Sequence, residues 1–429
     1  MQIKGRGKLV GEITVPGDKS ISHRAVILGS ISQGTTLVNN ILFSDDTLRT
    51  IDCFRDLGVL ITRDEVRNSV TIKGVGLYGL KMPSKALECE NSGTTMRLLS
   101  GLLVSQPFPT KLLGDKSLSK RPMKRIIDPL KLMGANIKGT EENQPPLVIK
   151  PTNALTGIDY TLPVASAQVK SAILLAGLYS SGTTNVYEKK MTRDHTERML
   201  DYFQADIKYN SSGTRIKSGS KLIAKDIFVP GDISSASFFI VGACILEGSS
   251  VLIKDVGLNP SRTGIIKVLK SMGASIEVID KKEKNNEIYG DLKVEYNPLH
   301  GVVLEGDIIG TLIDEIPIIA VAAAFAQGQT IIRNAEELKF KETDRIHAIA
   351  KELRKMNCNI EELKDGLIIY GGQNLKAAMV NSHNDHRIAM ALTIAALSCS
   401  QDSILENHTC INVSYPNFFE DLGKLMVNI

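Results

Sequence analysis

One local pattern is written six times along this chain of 429 residues, and nothing else narrows the fold as much. Residues 15–41, VPGDKSISHRAVILGSISQGTTLVNNI, match 162–188, LPVASAQVKSAILLAGLYSSGTTNVYE, and 229–256, VPGDISSASFFIVGACILEGSSVLIKDV. In each, a short strand runs into small polar residues. An apolar helix follows, then a turn of Gly with Ser or Thr, then a β-rich run. The stretches 89–115, 313–335 and 384–407 repeat the pattern. A second element recurs between them: CFRDLGVLI (53–61), PLKLMGANI (129–137), MLDYFQADI (199–207), VLKSMGASI (268–276), ELRKMNCNI (352–360) and, near the end, FFEDLGKL. These predict a helix leaving through a small residue into a strand. Repeat starts lie roughly 70 residues apart, longer than most solenoid repeats, so each repeat is expected to be a βαβαβ-like module with two helices of its own and a few strands.

Six such units predict an α/β chain of two domains with three units each. The near-duplicate VPGD segments at 15–18 and 229–232 mark matching positions, and hinges are expected there. The expected domains are 1–17 plus 230–429, discontinuous, and 18–229.

Composition excludes several classes. A formal charge of +4 is too mild to argue for nucleic acid, and with no Trp and few aromatics the chain lacks base-stacking platforms. The opening MQIKGRGKLVGEITV carries no long apolar run, so no secretory leader is expected. The longest apolar block, IPIIAVAAAFA (316–326), is too short to cross a bilayer and contains Pro317. A cytoplasmic location and no membrane partner are expected. The cysteines at 53, 89, 244, 358, 399 and 410 have no CxxC spacing and predict small buried hydrophobes rather than a disulfide framework.

The units differ most at the first turn of their apolar helix. That end already offers unpaired N–H groups and a positive dipole end, where anions bind and cations are disfavoured. The first unit nevertheless carries Lys19, Ser20 and Arg24. The second carries Asn91, Gly93, Thr94 and Arg97, with KRPMKR (120–125) nearby. The third carries Ser166, Gln168 and Lys170, then RDHTER (193–198). The fourth, GDISSASFF, has no cation in its first turn. The fifth has Asp314 and Glu315, then KFKETDR (339–345), and the sixth has Asn384, Asp385, His386 and Arg387. Ser, Asp and Asn at such places are good N-caps, which explains any one of them as local structure. Caps need no arginine, however, and cations repeated at an unfavourable place imply a ligand with several negative charges.

Other motifs fit worse. In GDKS, Asp18 separates Gly17 from Lys19, which breaks the phosphate-loop pattern. HNDH (383–386) lacks the further ligands of a metal site, and Asp385 reads better as a cap with Arg387 turned to a ligand. No G-x-S-x-G occurs. HAIAKELRKM (347–356) predicts an amphipathic helix with its charges outward. Two acids stand among the cations. Asp314 is either a helix cap or a general base, and Glu342 either an ion-pair partner of its neighbours or a proton donor and acceptor.

The motifs PGDKSISHR, NSGTTMR, KRPM, SAQVKSA, RDHTER, IDEIP, KETDR and NDHR closely resemble, in order, the signatures of the 5-enolpyruvylshikimate-3-phosphate synthase family, the 3-phosphoshikimate 1-carboxyvinyltransferases. The resemblance runs from about Lys4 to SYPNFF (414–419). It implies two inside-out α/β barrel-like domains, each of three βαβαββ-type units, closing on ligands in a cleft between them. It also implies transfer of the enolpyruvyl group of phosphoenolpyruvate to the 5-hydroxyl of shikimate 3-phosphate, with release of phosphate. That is a step on the shikimate pathway to chorismate and the aromatic amino acids. Each substrate carries a phosphate and a carboxylate, which accounts for the cations at the helix starts.

Carried over motif by motif, the resemblance implies that Lys19, Ser20, Arg24, Ser166, Ala167, Gln168, Arg193, Asp314 and Lys341 bind shikimate 3-phosphate. Lys19, Asn91, Gly93, Arg121, Gln168, Arg345 and Arg387 bind phosphoenolpyruvate. Asp314 takes the proton of the 5-hydroxyl, Glu342 moves the proton at the methylene carbon with Lys19 as an alternative acid, and His386 is a further catalytic candidate. No metal or organic cofactor is implied, and a monomer is expected.

The chain departs from the family in places. Val413 stands where some members have a lysine, three residues before Pro416, and Ala167 stands where others have serine. Gly93 leaves room for glyphosate beside phosphoenolpyruvate, so competitive inhibition by glyphosate is expected. The related UDP-N-acetylglucosamine enolpyruvyl transferases carry a reactive cysteine in the loop matching LGDKSLSKRPM (113–123), which has none here. The other alternative is a non-catalytic repeat protein that binds polyanions, in which acids among the cations serve no purpose.

Overall fold

The computed structural model describes residues 1–152 and 154–428. Among them are twelve α-helices, which alternate in character. They are α1 (Lys19–Ile31), α2 (Asp45–Asp56), α3 (Gly93–Leu103), α4 (Lys124–Leu132), α5 (Ala167–Gly177) and α6 (His195–Tyr202). Then follow α7 (Ile233–Ile245), α8 (Gly264–Ser271), α9 (Ile316–Phe325), α10 (Arg345–Lys355), α11 (His386–Leu397) and α12 (Phe418–Leu425). The odd-numbered helices are the apolar ones. Every residue of α7 and α11 is buried. A helix that is hydrophobic all round belongs in a core, whereas the even-numbered helices bury one face and leave the other in water.

The repeat holding α5 and α6 has the full pattern. Its strands Asp159–Thr161, Thr183–Tyr187, Ile207–Asn210 and Gly213–Lys217 pair in the order first, second, fourth, third. The first pair is parallel, as a helical crossover requires, and the others are antiparallel. The same order recurs in the sheets around α3 with α4 and around α9 with α10.

Two repeats are not contiguous, which corrects the sequence expectation. The strand Gly7–Thr14 runs straight towards α1, yet it pairs in parallel with Ser250–Gly257, the strand after α7. The strand Ile227–Phe228 runs towards α7, yet it pairs in parallel with Gln33–Asn39, the strand after α1. The two VPGD segments are therefore where the chain exchanges first strands between matching repeats. Such pairings join residues more than 180 apart, so no local pattern announces them.

Compactness divides the chain into two units. One comprises Met1–Pro16, Pro230–Glu283 and Ile288–Ile429; the other comprises Gly17–Val229 and Lys284–Glu287. Each has its own hydrophobic core. In the first unit α7, α9 and α11 pack on one another. In the second α3 and α5 approach so closely that a Cβ on Gly101 would lie 2.1 Å from the Ala172 carbonyl oxygen. Strands at the outside alternate between buried and exposed residues, as in Leu60–Ile61–Thr62. Each unit is thus inside-out: apolar helices within, sheets without.

The cysteines are unpaired, and all but the half-buried Cys410 are buried. Among the described residues no helix is long and apolar enough to cross a membrane.

Candidate active site

Five of the six apolar helices start with a side-chain cap. Asp18, Ser92, Ser166, Asp232 and Asp385 each accept a backbone N–H of the turn they open. The exception is α9, whose N-cap position is Glu315 and makes no side-chain cap bond, with Asp314 beside it in the short 3-10 helix Ile313–Glu315.

In the second unit the charged helix starts converge. Lys19 Nζ lies 3.0 Å from Asp46 Oδ2, at the start of α2. Arg24 is buried, and its Nε donates to Thr196 Oγ1 at 2.6 Å, Nη1 to the Ser20 carbonyl at 2.9 Å and Nη2 to Ser171 Oγ at 2.9 Å. Burial pulls its guanidinium down to about 10, with Arg193 adding to the shift and Glu197 opposing it, so it stays charged at neutral pH. Arg193 Nη1 reaches Ser20 Oγ at 3.5 Å. Ser20, Arg24 and Arg193 therefore sit beside the start of α5, where Ser166 caps, Ala167 begins the helix and Ser171 Oγ donates to the Ala167 carbonyl at 2.6 Å.

The start of α3 joins the same group. Arg97 Nη1 donates to Gln168 Oε1 at 2.6 Å, and Gln168 Nε2 donates to Thr94 Oγ1 at 2.9 Å. Arg121 Nη2 donates to Asn91 Oδ1 at 2.8 Å, while Asn91 Nδ2 donates to Asp115 Oδ2 at 2.9 Å. That second bond fixes the Asn91 amide with its oxygen towards Arg121. A Cβ on Gly93 would stand 3.0 Å from Arg97 Nη1 and 3.4 Å from Arg121 Nη1, so both guanidinium groups face this backbone.

Lys170 behaves differently from the expectation that it is a ligand-facing cation. It is buried between Glu188 and Glu197, 2.6 Å from Glu197 Oε1. Burial works against its charge, but Glu197 and Glu188 outweigh that and raise its pKa. Glu188 also accepts from Thr192 N at 2.9 Å and Thr192 Oγ1 at 2.7 Å, which braces the segment leading to Arg193.

In the first unit three helix starts meet around carboxylates. Asp314 Oδ1 lies 3.1 Å from Arg345 Nη1 and 3.3 Å from Lys341 Nζ, and its Oδ2 lies 3.8 Å from Arg387 Nη2. Arg345 is almost wholly buried and also donates through Nη2 to Glu342 Oε2 and through Nε to Asp385 Oδ2, each at 2.7 Å. Burial alone would disfavour its charge, but Asp385, Glu342 and Asp314 outweigh that and raise its pKa. Asp385 also accepts the Arg387 backbone N–H at 2.8 Å, so one carboxylate sets the start of α11 and holds Arg345. His386, next along, is buried.

The Arg387 guanidinium, 3.7 Å from Glu315 and 3.8 Å from Asp314, makes no hydrogen bond among the described residues. Arg345 uses three of its five N–H donors on carboxylates; Arg387 keeps all of its own.

His383 Nε2 bonds Glu352 Oε1 at 2.9 Å, and among the described residues no group of His, Cys, Asp and Glu could hold an ion. The helix expected to carry only outward charges is corrected here: Glu352, on α10, is fully buried and also takes Lys355 Nζ at 2.7 Å and Asn381 N at 3.0 Å. Sequence reading gave Glu315, Arg262, Asp115, Glu352 and the two glutamates around Lys170 no role. Apart from the i,i+3 pair of Glu352 with Lys355, each meets a partner across a gap in the chain that no spacing rule covers.

Comparison with known proteins follows the same lines. A family model described as EPSP synthase (3-phosphoshikimate 1-carboxyvinyltransferase) matches residues 3–422. The chain is 51% identical over 421 residues to the 3-phosphoshikimate 1-carboxyvinyltransferase of Oceanobacillus iheyensis, covering 98% of this chain and 97% of that one. It is 50% identical to the Bacillus subtilis protein of the same name, with 97% of each covered. The solved EPSP synthase of Acinetobacter baumannii superposes with a TM-score of 0.89 at 44% identity, over 99% of this chain and 97% of that one. The enolpyruvyl transferase NikO of Streptomyces tendae, 19% identical, superposes with a TM-score of 0.80 over 100% of this chain and 98% of that one, a likeness of fold.

Proposed function

Because this chain belongs to the EPSP synthase (3-phosphoshikimate 1-carboxyvinyltransferase) family, we propose how its own residues divide the family's reaction between them. The chain is a transferase of the shikimate pathway, serving aromatic amino acid biosynthesis. It moves the enolpyruvyl group of phosphoenolpyruvate to the 5-hydroxyl of shikimate 3-phosphate and releases phosphate.

Asp314 removes the proton of the 5-hydroxyl as its oxygen attacks C2 of phosphoenolpyruvate. Glu342, with Lys19 as the alternative acid and His386 as a further candidate, delivers a proton to C3. The resulting tetrahedral adduct then loses phosphate from C2 and a proton from C3, which restores the double bond. Lys19, Ser20, Arg24, Ser166, Ala167, Gln168, Arg193, Asp314 and Lys341 bind shikimate 3-phosphate. Lys19, Asn91, Gly93, Arg121, Gln168, Arg345 and Arg387 bind phosphoenolpyruvate. Positioned cations stabilise charge developing on the adduct by an amount on the order of a few kcal/mol per donor. Glyphosate competes with phosphoenolpyruvate beside Gly93, and the enzyme works as a cytoplasmic monomer.

One observation carries this division of labour. Asp314 stands within 4 Å of Lys341, Arg345 and Arg387, and Glu342 shares Arg345 with it. Addition and elimination need both an acid and a base, and this cluster offers two carboxylates for those tasks. The test is phosphate release from phosphoenolpyruvate. It is expected only with shikimate 3-phosphate present and not with UDP-N-acetylglucosamine. Release with the nucleotide sugar, or with neither acceptor, contradicts the reading.

A further inference from the structure

The repeat without a cation in its first turn obtains one from elsewhere. Arg262, buried and 30 residues beyond Asp232, donates through Nη2 to Asp232 Oδ1 at 2.9 Å and to Ser234 Oγ at 2.7 Å. Ser234 Oγ in turn hydrogen-bonds Glu315 Oε1. The directions of these bonds follow from chemistry. A guanidinium has no acceptor, so the Ser234 oxygen accepts from Arg262, and its single hydrogen is left for Glu315. Glu315 is 1% exposed, and its Oε1 lies 3.7 Å from Arg387 Nη1. Its other oxygen, Oε2, is buried with no hydrogen-bond partner among the described residues.

A buried carboxylate needs compensation, and here one hydroxyl and one guanidinium provide it. The spacing to the guanidinium matters. Separations of 3.7 Å to Glu315 and 3.8 Å to Asp314 are too long for hydrogen bonds but short enough for strong attraction. Two carboxylates thus orient Arg387 by charge and leave its N–H groups for an incoming anion. Its backbone is set independently, by the bond from its N–H to Asp385.

We propose that Glu315 is a positioning residue for phosphoenolpyruvate binding, held in place by Arg262 through Ser234, and that it acts by aiming Arg387. The inference rests on the assignment of Arg387 to phosphoenolpyruvate. It concerns affinity for one substrate and not the chemical step.

The test is steady-state kinetics of the full chain with each substrate varied in turn. Glu315→Gln keeps the shape and the bond from Ser234 but removes the charge. It is expected to raise KM for phosphoenolpyruvate about tenfold, the size of one lost charge-assisted contact. KM for shikimate 3-phosphate and kcat are expected to stay within about threefold. Ser234→Ala, a smaller change, is expected to shift the same KM in the same direction, and it serves should Glu315→Gln fail to fold. A merely structural role lowers the amount of folded enzyme and leaves the two KM values alone or moves them together. Either result overturns the inference. Arg387→Lys separates the causes. If it raises KM for phosphoenolpyruvate while Glu315→Gln and Ser234→Ala do not, only the positioning role falls. If Arg387→Lys leaves that KM unchanged, the assignment of Arg387 falls and the positioning role with it.

Discussion

Arg345 and Arg387 both reach Asp314, but they serve it in different ways. Arg345 is bound by Asp314, Glu342 and Asp385 at 2.7 to 3.1 Å, so it ties three elements together. The Arg387 guanidinium is attracted by Asp314 and Glu315 but is hydrogen-bonded to none of the described residues. Sequence reading gave both the same task because both are arginines in a matching motif, and a motif does not record how many N–H groups are already engaged. Gly93 is a case where residue type alone was informative. Its missing Cβ leaves Arg97 and Arg121 room to approach the start of α3. Gly93→Ala is expected to crowd the Arg97 guanidinium at 3.0 Å and to bring a methyl group into contact with Arg121, raising the glyphosate inhibition constant about tenfold or more and raising KM for phosphoenolpyruvate with it. Inhibition assays against varied phosphoenolpyruvate check this, and an unchanged inhibition constant contradicts it. Lys170 is the opposite case. It sits in the first turn of α5 like the other cations, and only its two buried glutamate partners reveal that it holds the segment before Arg193.

At the scale of the element, helix starts were readable because capping is local: Asp18, Ser92, Ser166 and Asp385 lie within three residues of the N–H groups they accept. Strand partnership was not, because Gly7–Thr14 and Ile227–Phe228 pair across the exchange between repeats. The loop before α11 shows a further device outside the reach of sequence. His383 and Asn384 both have positive φ, 52° and 58°, and the loop is held by Glu352 through His383 and the Asn381 N–H. Burial alone would raise the Glu352 pKa, but Lys355, the Asn381 N–H and His383 together hold it below its ordinary 4.5. A carboxyl depressed in the folded state stabilises the fold fully above its unfolded pKa and loses that contribution as pH falls through the lower folded value. Glu352→Gln is therefore expected to be less stable than the parent at neutral pH, with the difference narrowing below about pH 4.5. Thermal melts from about pH 7 to pH 3.5 measure it, and curves that stay parallel into acid contradict it.

For the whole molecule, the repeat pattern foretold much of the architecture because each βαβαββ unit must bury an apolar helix that it cannot cover alone. Three such helices, α7, α9 and α11, cover one another in the first unit, and α3 packs on α5 in the second. The same arrangement brings helix starts together, so cations disfavoured at one helix end gather where a multiply charged substrate can repay them. Ser20, Arg24, Gln168 and Arg193 form one such group, and Lys341, Arg345 and Arg387 another. The second group also holds Asp314 and Glu342, the acids that the proposed addition and elimination require. The most direct measurement pairs calorimetric binding of shikimate 3-phosphate with turnover in Asp314→Ala. Binding is expected within about tenfold of the parent and turnover lower by at least about a hundredfold. Turnover close to that of the parent, with binding intact, contradicts the assignment of Asp314 as the base.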